Sequence, residues 1–153
     1  MTALAPIIEK LRPRIGVTTQ PVRIEVDRAA IVRFALYTGE TNPVFFDEDR
    51  ARQTRYGGII APPCFLSWFL KGIVPDQVFD FDPALPTVLH SDDVVELGAP
   101  IRPGDVITAV GALTDVFERQ GRKGPMLFQS ADVNLTNQAG AFVGMVRTIS
   151  VLF

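Results

Sequence analysis

The chain is short of the residues that do most catalytic and metal chemistry, with one cysteine, Cys64, and one histidine, His90, in 153 residues. A lone cysteine excludes an internal disulfide and a multi-cysteine zinc site, so no metal is expected, and it points to a reducing, cytoplasmic compartment. Long apolar runs are also missing. The longest, Gly57 to Leu70, is interrupted by Pro62 and Pro63 and falls short of the ~20 residues a membrane-spanning helix needs. The opening MTALAPIIEKLRPRIG has no early positive cluster ahead of an apolar stretch, so no secretory signal is expected. Charge of one sign is not concentrated anywhere. The 15 basic residues face 17 acidic ones for a net charge of −2, which argues against a nucleic-acid-binding face. Internal repeats and low-complexity segments are absent as well. What is there, 47% apolar and 21% charged residues, is the composition of a soluble globular protein. A chain of this length buries roughly 70% of its extended surface without help from a metal or disulfide, and a single domain over residues 1–153 is expected.

Asp27 precedes a segment, Arg28 to Gly39, in which Ile31, Phe34, Ala35 and Thr38 share a helical face. Asp27 is placed to cap this helix and Gly39 to stop it. Asn42-Pro43 then forces an extended or turn conformation, and Asp47 to Arg52 reads as a short helix headed by acids. After Gly57-Gly58, prolines at 62 and 63 open a run to Gly72 that is apolar on nearly every side. Such a run has no solvent-facing stripe and is expected to be the buried central helix. Residues 75 to 86, with three prolines and several acids, read as a surface loop. Strands are expected over Val22–Val26, Thr87–Leu97, Asp105–Glu118, Met126–Thr136 and Phe142–Phe153, separated by turn chemistry at Arg102-Pro103-Gly104-Asp105, around Gly121 to Pro125 and at Asn137-Gln138-Ala139-Gly140. Consecutive strands with short turns imply an antiparallel meander. The fold class is therefore α+β, about five antiparallel strands wrapped around one central helix.

The densest chemistry lies in Tyr37 to Asp47, where a helix end, the Glu40 carboxylate and the Asn42 amide meet in a loop. Such an arrangement can present a general base, although turn formation is the commoner role of these residues. Gly39-Glu40-Thr41-Asn42-Pro43-Val44-Phe45-Phe46-Asp47, followed by Tyr56-Gly57-Gly58-Ile59-Ile60-Ala61-Pro62-Pro63, resembles the motif region of the MaoC-like hydratase/dehydratase superfamily. Ile101-Arg102-Pro103-Gly104-Asp105 looks like its strand-turn signature, and residues 122–140 are similar to its N-terminal dehydratase-like branch. The resemblance covers about residues 20–150 and implies a hotdog fold. It also implies hydration of 2-enoyl thioesters, or the reverse dehydration of (R)-3-hydroxyacyl thioesters, on coenzyme A or acyl carrier protein. No cofactor beyond that thioester is implied.

The departures from the family's motif are chemical. Glu40 stands where the family has aspartate, Phe45 where it has histidine, and Pro62-Pro63 where a His-Gly pair opens the central helix. Phenylalanine moves no proton, and losing one general acid/base typically removes ~10²- to 10⁴-fold in rate. Proline has no N–H to serve as an oxyanion donor, a loss of ~10²- to 10³-fold. The resemblance therefore implies a non-catalytic or accessory subunit, paired with a second hotdog protein that carries the intact motif and shaping its acyl-CoA site. Glu40 is the weak catalytic candidate. Asn42, Phe45, Phe46, Ala61, Pro62, Pro63 and Cys64 are the expected substrate-contacting residues, although Cys64 and His90 taken alone read as structural. Two alternatives stand: an active homodimeric hydratase that pairs Glu40 with His90 or a water, and a non-enzymatic thioester-binding module. Arg50, Arg52, Arg55, Arg119, Arg122 and Lys123 could meet coenzyme A phosphates, against a default of solvated surface charge.

Overall fold

The computed structural model of the chain describes residues 4–71, 73 and 77–153. Its helices are α1 (Ala5–Leu11), α2 (Arg28–Tyr37) and α3 (Glu48–Arg52), and its strands are β1 (Val22–Glu25), β2 (Val88–Leu97), β3 (Val106–Gly121), β4 (Gly124–Thr136) and β5 (Phe142–Leu152). Helix α2 starts where its cap predicts. The Ala30 N–H donates to Asp27 Oδ1 at 2.6 Å, and past the C-cap Thr38 the chain turns at Gly39, φ +74°, a left-handed value that glycine adopts without strain. Asp47 caps α3 in the same way, accepting from the Arg50 N–H at 3.1 Å.

The five strands form one antiparallel sheet in the order β1-β3-β4-β5-β2. The expected meander is therefore correct only for β3, β4 and β5. Strand β2 pairs with β5 at one edge and β1 with β3 at the other, so the chain after β2 must cross the end of the sheet before β3 begins. Residues 98–101 make that crossing, fixed by Gly98 N–H to Val143 O and Ala61 N–H to Ile101 O, both 2.9 Å.

The central helix is shorter and tighter than the apolar run suggests. It is a 3-10 helix of eight residues, Pro63–Leu70, burying Phe65, Leu66 and Phe69; Gly72, the end of the run, lies outside the described residues. Phe65 anchors it, meeting Phe34 of α2 edge-on at 5.1 Å between ring centroids, and Trp68 and Phe69 at 5.1 and 5.7 Å. A 3-10 helix rises ~2 Å per residue and so spans only ~16 Å, whereas the 11 residues of β5 extend ~36 Å. The helix therefore covers the middle of the sheet and leaves a depression at each end. One side of the helix also stays outward, since Pro63 and Cys64 are exposed.

The segment expected to be a surface loop is in part a packed one. Residues 75 and 76 lie outside the described residues, but Val78 and Phe79 are buried, and the amide of Gln129, itself fully buried, both donates to and accepts from the Asp80 backbone at 2.8 and 3.1 Å. Helix α1 is not among the expected elements, although Leu4, Ile7, Ile8 and Leu11 follow the helical i, i+3, i+4, i+7 spacing; Leu4 and Leu11 are part of the core and Ile7 and Ile8 pack against it.

Candidate functional site

Three stretches of chain converge at the amino end of the central helix. The first is the 3-10 turn Pro43–Phe45, whose cap Asn42 accepts from the Val44 N–H at 3.1 Å. The second runs from Arg55 to Pro63, and the third is the crossing segment 98–101. Between them lies a cleft of about 330 Å³. Its floor is apolar, from Phe45, Ile60, Leu66 and Val143, and its rim carries Asn42, Arg55 and Tyr56. The rim is braced: Arg55 Nη2 donates to the Tyr56 hydroxyl at 2.7 Å with its guanidinium over the ring, and Arg102 Nη1 donates to the Tyr56 carbonyl at 2.7 Å. Asp105 holds the turn behind it, accepting from the Arg102 N–H at 2.7 Å and from Gln138 Nε2 at 3.0 Å.

Of the residues singled out in the sequence, the cleft brings together Asn42, Phe45, Ala61, Pro62 and Pro63. Glu40, Phe46 and Cys64 do not line it. Glu40 is half-buried, and its carboxylate acts on Cys64 instead. Burial first and the Glu40 charge second push the Cys64 thiol above its ordinary pKa, the reverse of what a reactive thiolate requires. Phe46 packs against the core. The wall made by Gly98, Ala99, Pro100 and Ile101 carried no chemical signal in the sequence beyond the turn motif. Small residues between a strand and a turn were its trace, and Gly98 is required there because a Cβ would sit 2.4 Å from the Phe142 carbonyl oxygen.

The chemistry of the cleft follows from what its wall supplies. Among the described residues, neither a carboxylate nor an imidazole lines it. Pro62 and Pro63 present no N–H, and the first amide donor of the helix that is engaged, Phe65 N–H, goes to the Pro62 carbonyl at 2.9 Å. The wall therefore offers shape, apolar surface and an exposed cation, but no proton-transfer pair. His90 lies at the other end of β2 from Leu97, about 20 Å away along the strand, so this chain does not join Glu40 and His90 around one substrate. Among the described residues no group of three or more His, Cys, Asp or Glu side chains could hold a metal ion, and no helix is long and apolar enough to cross a membrane.

The family described as "FAS1-like, dehydratase domain region" matches residues 14–146. A UPF0336 protein of Thermobifida fusca is 31% identical over 109 residues, 67% of this chain and 69% of that one. Among solved structures, the fold superposes on the HadBC (3R-hydroxyacyl-ACP dehydratase) complex of Mycobacterium tuberculosis with a TM-score of 0.77 at 23% identity, covering 90% of this chain and 96% of that one. A MaoC-like dehydratase gives 0.78 at 23% identity over 94% of this chain and 43% of that longer one. These likenesses establish the five-stranded hotdog fold.

Proposed function

Because the chain belongs to the FAS1-like dehydratase domain region family, we propose that it is the accessory half of a hydratase/dehydratase pair, which completes a double hotdog with a motif-bearing partner and shapes the site for a 2-enoyl or (R)-3-hydroxyacyl thioester. One observation carries this reading: the cleft at the head of the central helix keeps Asn42 and an apolar floor yet has no acid–base pair and no amide donor from the prolines that open the helix. Phe45 and Pro62 set its shape, and Arg55 at the rim offers charge to the phosphates of a carrier. The need for a partner is supported by β2, every residue of which is exposed, with Val94 and Leu97 57% and 58% accessible. The strand's sequence mixes apolar residues with His90, Asp92, Asp93 and Glu96, and its one unpaired edge is a template to which a second chain can add. The fold's likeness to HadBC, a dehydratase solved as a complex, points the same way.

The test is co-expression with a short hotdog protein carrying the intact aspartate–histidine motif, followed by assay of crotonyl-CoA hydration. The complex should turn over, and the isolated chain should be slower by at least ~10²-fold, the cost of a missing general acid/base. Robust turnover by the pure chain, abolished by Glu40→Gln, would replace this reading with the homodimeric enzyme.

A further inference from the structure

The uncovered stretch at the other end of the central helix has a different character. Side chains directly opposite across an antiparallel pair share a face, and Gly144, which faces Leu66, identifies which face of β5 meets the helix. Along that face the cross-strand neighbours run Val133–Val146–Val95, then Ala131–Thr148–Asp93, then Gln129–Ser150–His90. The row changes from aliphatic to polar just where the helix ends. Thr148 and Ser150 are 3% and 8% accessible and Gln129 is fully buried, an expensive set of groups to place on a core face unless each finds a partner.

Gln129 has its partners, since both ends of its amide hold the Asp80 backbone. The Asp80 carboxylate is in turn tied to Lys10 at 2.9 Å and Arg14 at 3.5 Å. This clamp fixes Phe79 and Phe81, one on either side of Asp80, as a wall of two rings 6.3 Å apart. Leu70 and Lys71 stand opposite, His90, Thr148 and Ser150 form the floor, and the space between is about 210 Å³. The hydroxyls are less well served than the amide. His90 Nε2 is 3.4 Å from Asp93 Oδ1, and its Nδ1 stands a long 3.5 Å from Thr148 Oγ1. Among the described residues Ser150 makes no side-chain hydrogen bond, and it lines the depression.

We propose that this depression is a second binding site, in which the Thr148 and Ser150 hydroxyls hold the oxygen of an uncharged hydroxyl or ketone carried on an apolar ring or tail packed against Phe79, Phe81 and Leu70. The volume is below the ~300 Å³ at which whole-ligand pockets begin, so the site takes one end of a ligand. An anionic group is disfavoured, because Asp93 beside His90 offsets Lys71, the one lysine or arginine among the described residues that line the depression. That the group is the far end of an acyl thioester rests on the accessory-subunit reading; the site itself does not.

The experiment uses the full chain and free probes, with no thioester and no partner. His90 is the only histidine, so its ring C–H signals in proton NMR report the site without ambiguity. Cyclohexanol and cyclohexanone should shift them saturably, and more tightly than cyclohexanecarboxylate. Ser150→Ala should weaken cyclohexanol by about three- to tenfold, the range of one neutral hydrogen bond, with Thr148→Val as the second variant if the first does not fold. Absence of a shift at His90, carboxylate binding at least as tight as the alcohol, or variants that bind cyclohexanol like the parent would each overturn the site. A positive titration alongside a failed partner assay would leave the site standing and remove only the acyl thioester as its source.

Discussion

Phe45 belongs to two environments at once, for it is 8% accessible within the core and also lines the cleft, whereas its neighbour Phe46 packs on the core alone. Phe45→Ala should therefore lower stability by ~3 kcal/mol, the low end for such a truncation because the cleft side lacks packed atoms. It should also widen the cleft. A denaturant midpoint on the purified variant measures the first effect, and a chain-length series on the assembled complex the second; a shift toward bulkier acyl groups is expected. The same pair shows where the sequence is legible. Adjacent residues of an extended segment point in opposite directions, so two aromatics in a row could be recognised as one for the core and one for something else. Which was which depended on the 3-10 turn Pro43–Phe45, whose cap Asn42 lines the cleft while Glu40, two residues earlier, does not. Motif residues contiguous in the chain were thus parted by a rotation of the backbone that residue types alone do not encode. Arg55 was weighed only as one of several surface cations; its brace is the next residue, Tyr56, and Tyr56 is held in turn by Arg102, a long-range contact that the local sequence does not announce.

The helix and the strands were readable to different degrees. Period-two alternation and turn residues located all five strands to within a few positions, because each strand's pattern is local. Strand order was not local, and β2 went to the far edge. The central helix was recognised by its lack of a polar stripe, but an all-apolar run does not distinguish a 3-10 from an α-helix, and two prolines at its head remove the N–H groups that would begin either. Close approach of that helix to the sheet is set by Gly144, where a Cβ would lie 2.6 Å from the Glu96 carbonyl oxygen and 2.8 Å from Leu66 Cδ1. Gly144→Ala should therefore destabilise the protein by ~1–3 kcal/mol through overpacking. Gly58→Ala is the control: its nearest neighbour, Glu48 Oε1, is an ordinary 3.7 Å away, so the change should be neutral or stabilising by up to ~1 kcal/mol. Urea midpoints of the two variants side by side read the difference.

For the molecule as a whole, the proposed pairing makes the exposed row on β2 the surface that association should cover. Light scattering at micromolar concentration should return at least twice the 16.8 kDa chain mass, alone or with a motif-bearing partner. Val94→Lys, which places a charge on the edge strand, should raise the monomer fraction while changing the melting temperature little, as that side chain is 57% accessible within the chain. A stable monomer, unmoved by the partner, would contradict the pairing. The pairing of β2 also imposes an order of events during synthesis. Its hydrogen-bonding neighbour within the chain is β5, so Leu97 must wait for Gly144 and Val88 for Leu152, whereas β3 and β4 can zip as a hairpin across Gly121 and Gly124. Until β5 emerges, β2 stands with both edges free, the condition under which nascent chains aggregate. Closing the long loop from β2 to β5 is a slow, entropy-limited step compared with hairpin formation. On the proposed pairing, the edge offered to a second hotdog is therefore also the last part of the sheet to be sheltered, and a partner present while the chain is still on the ribosome should raise the yield of folded protein.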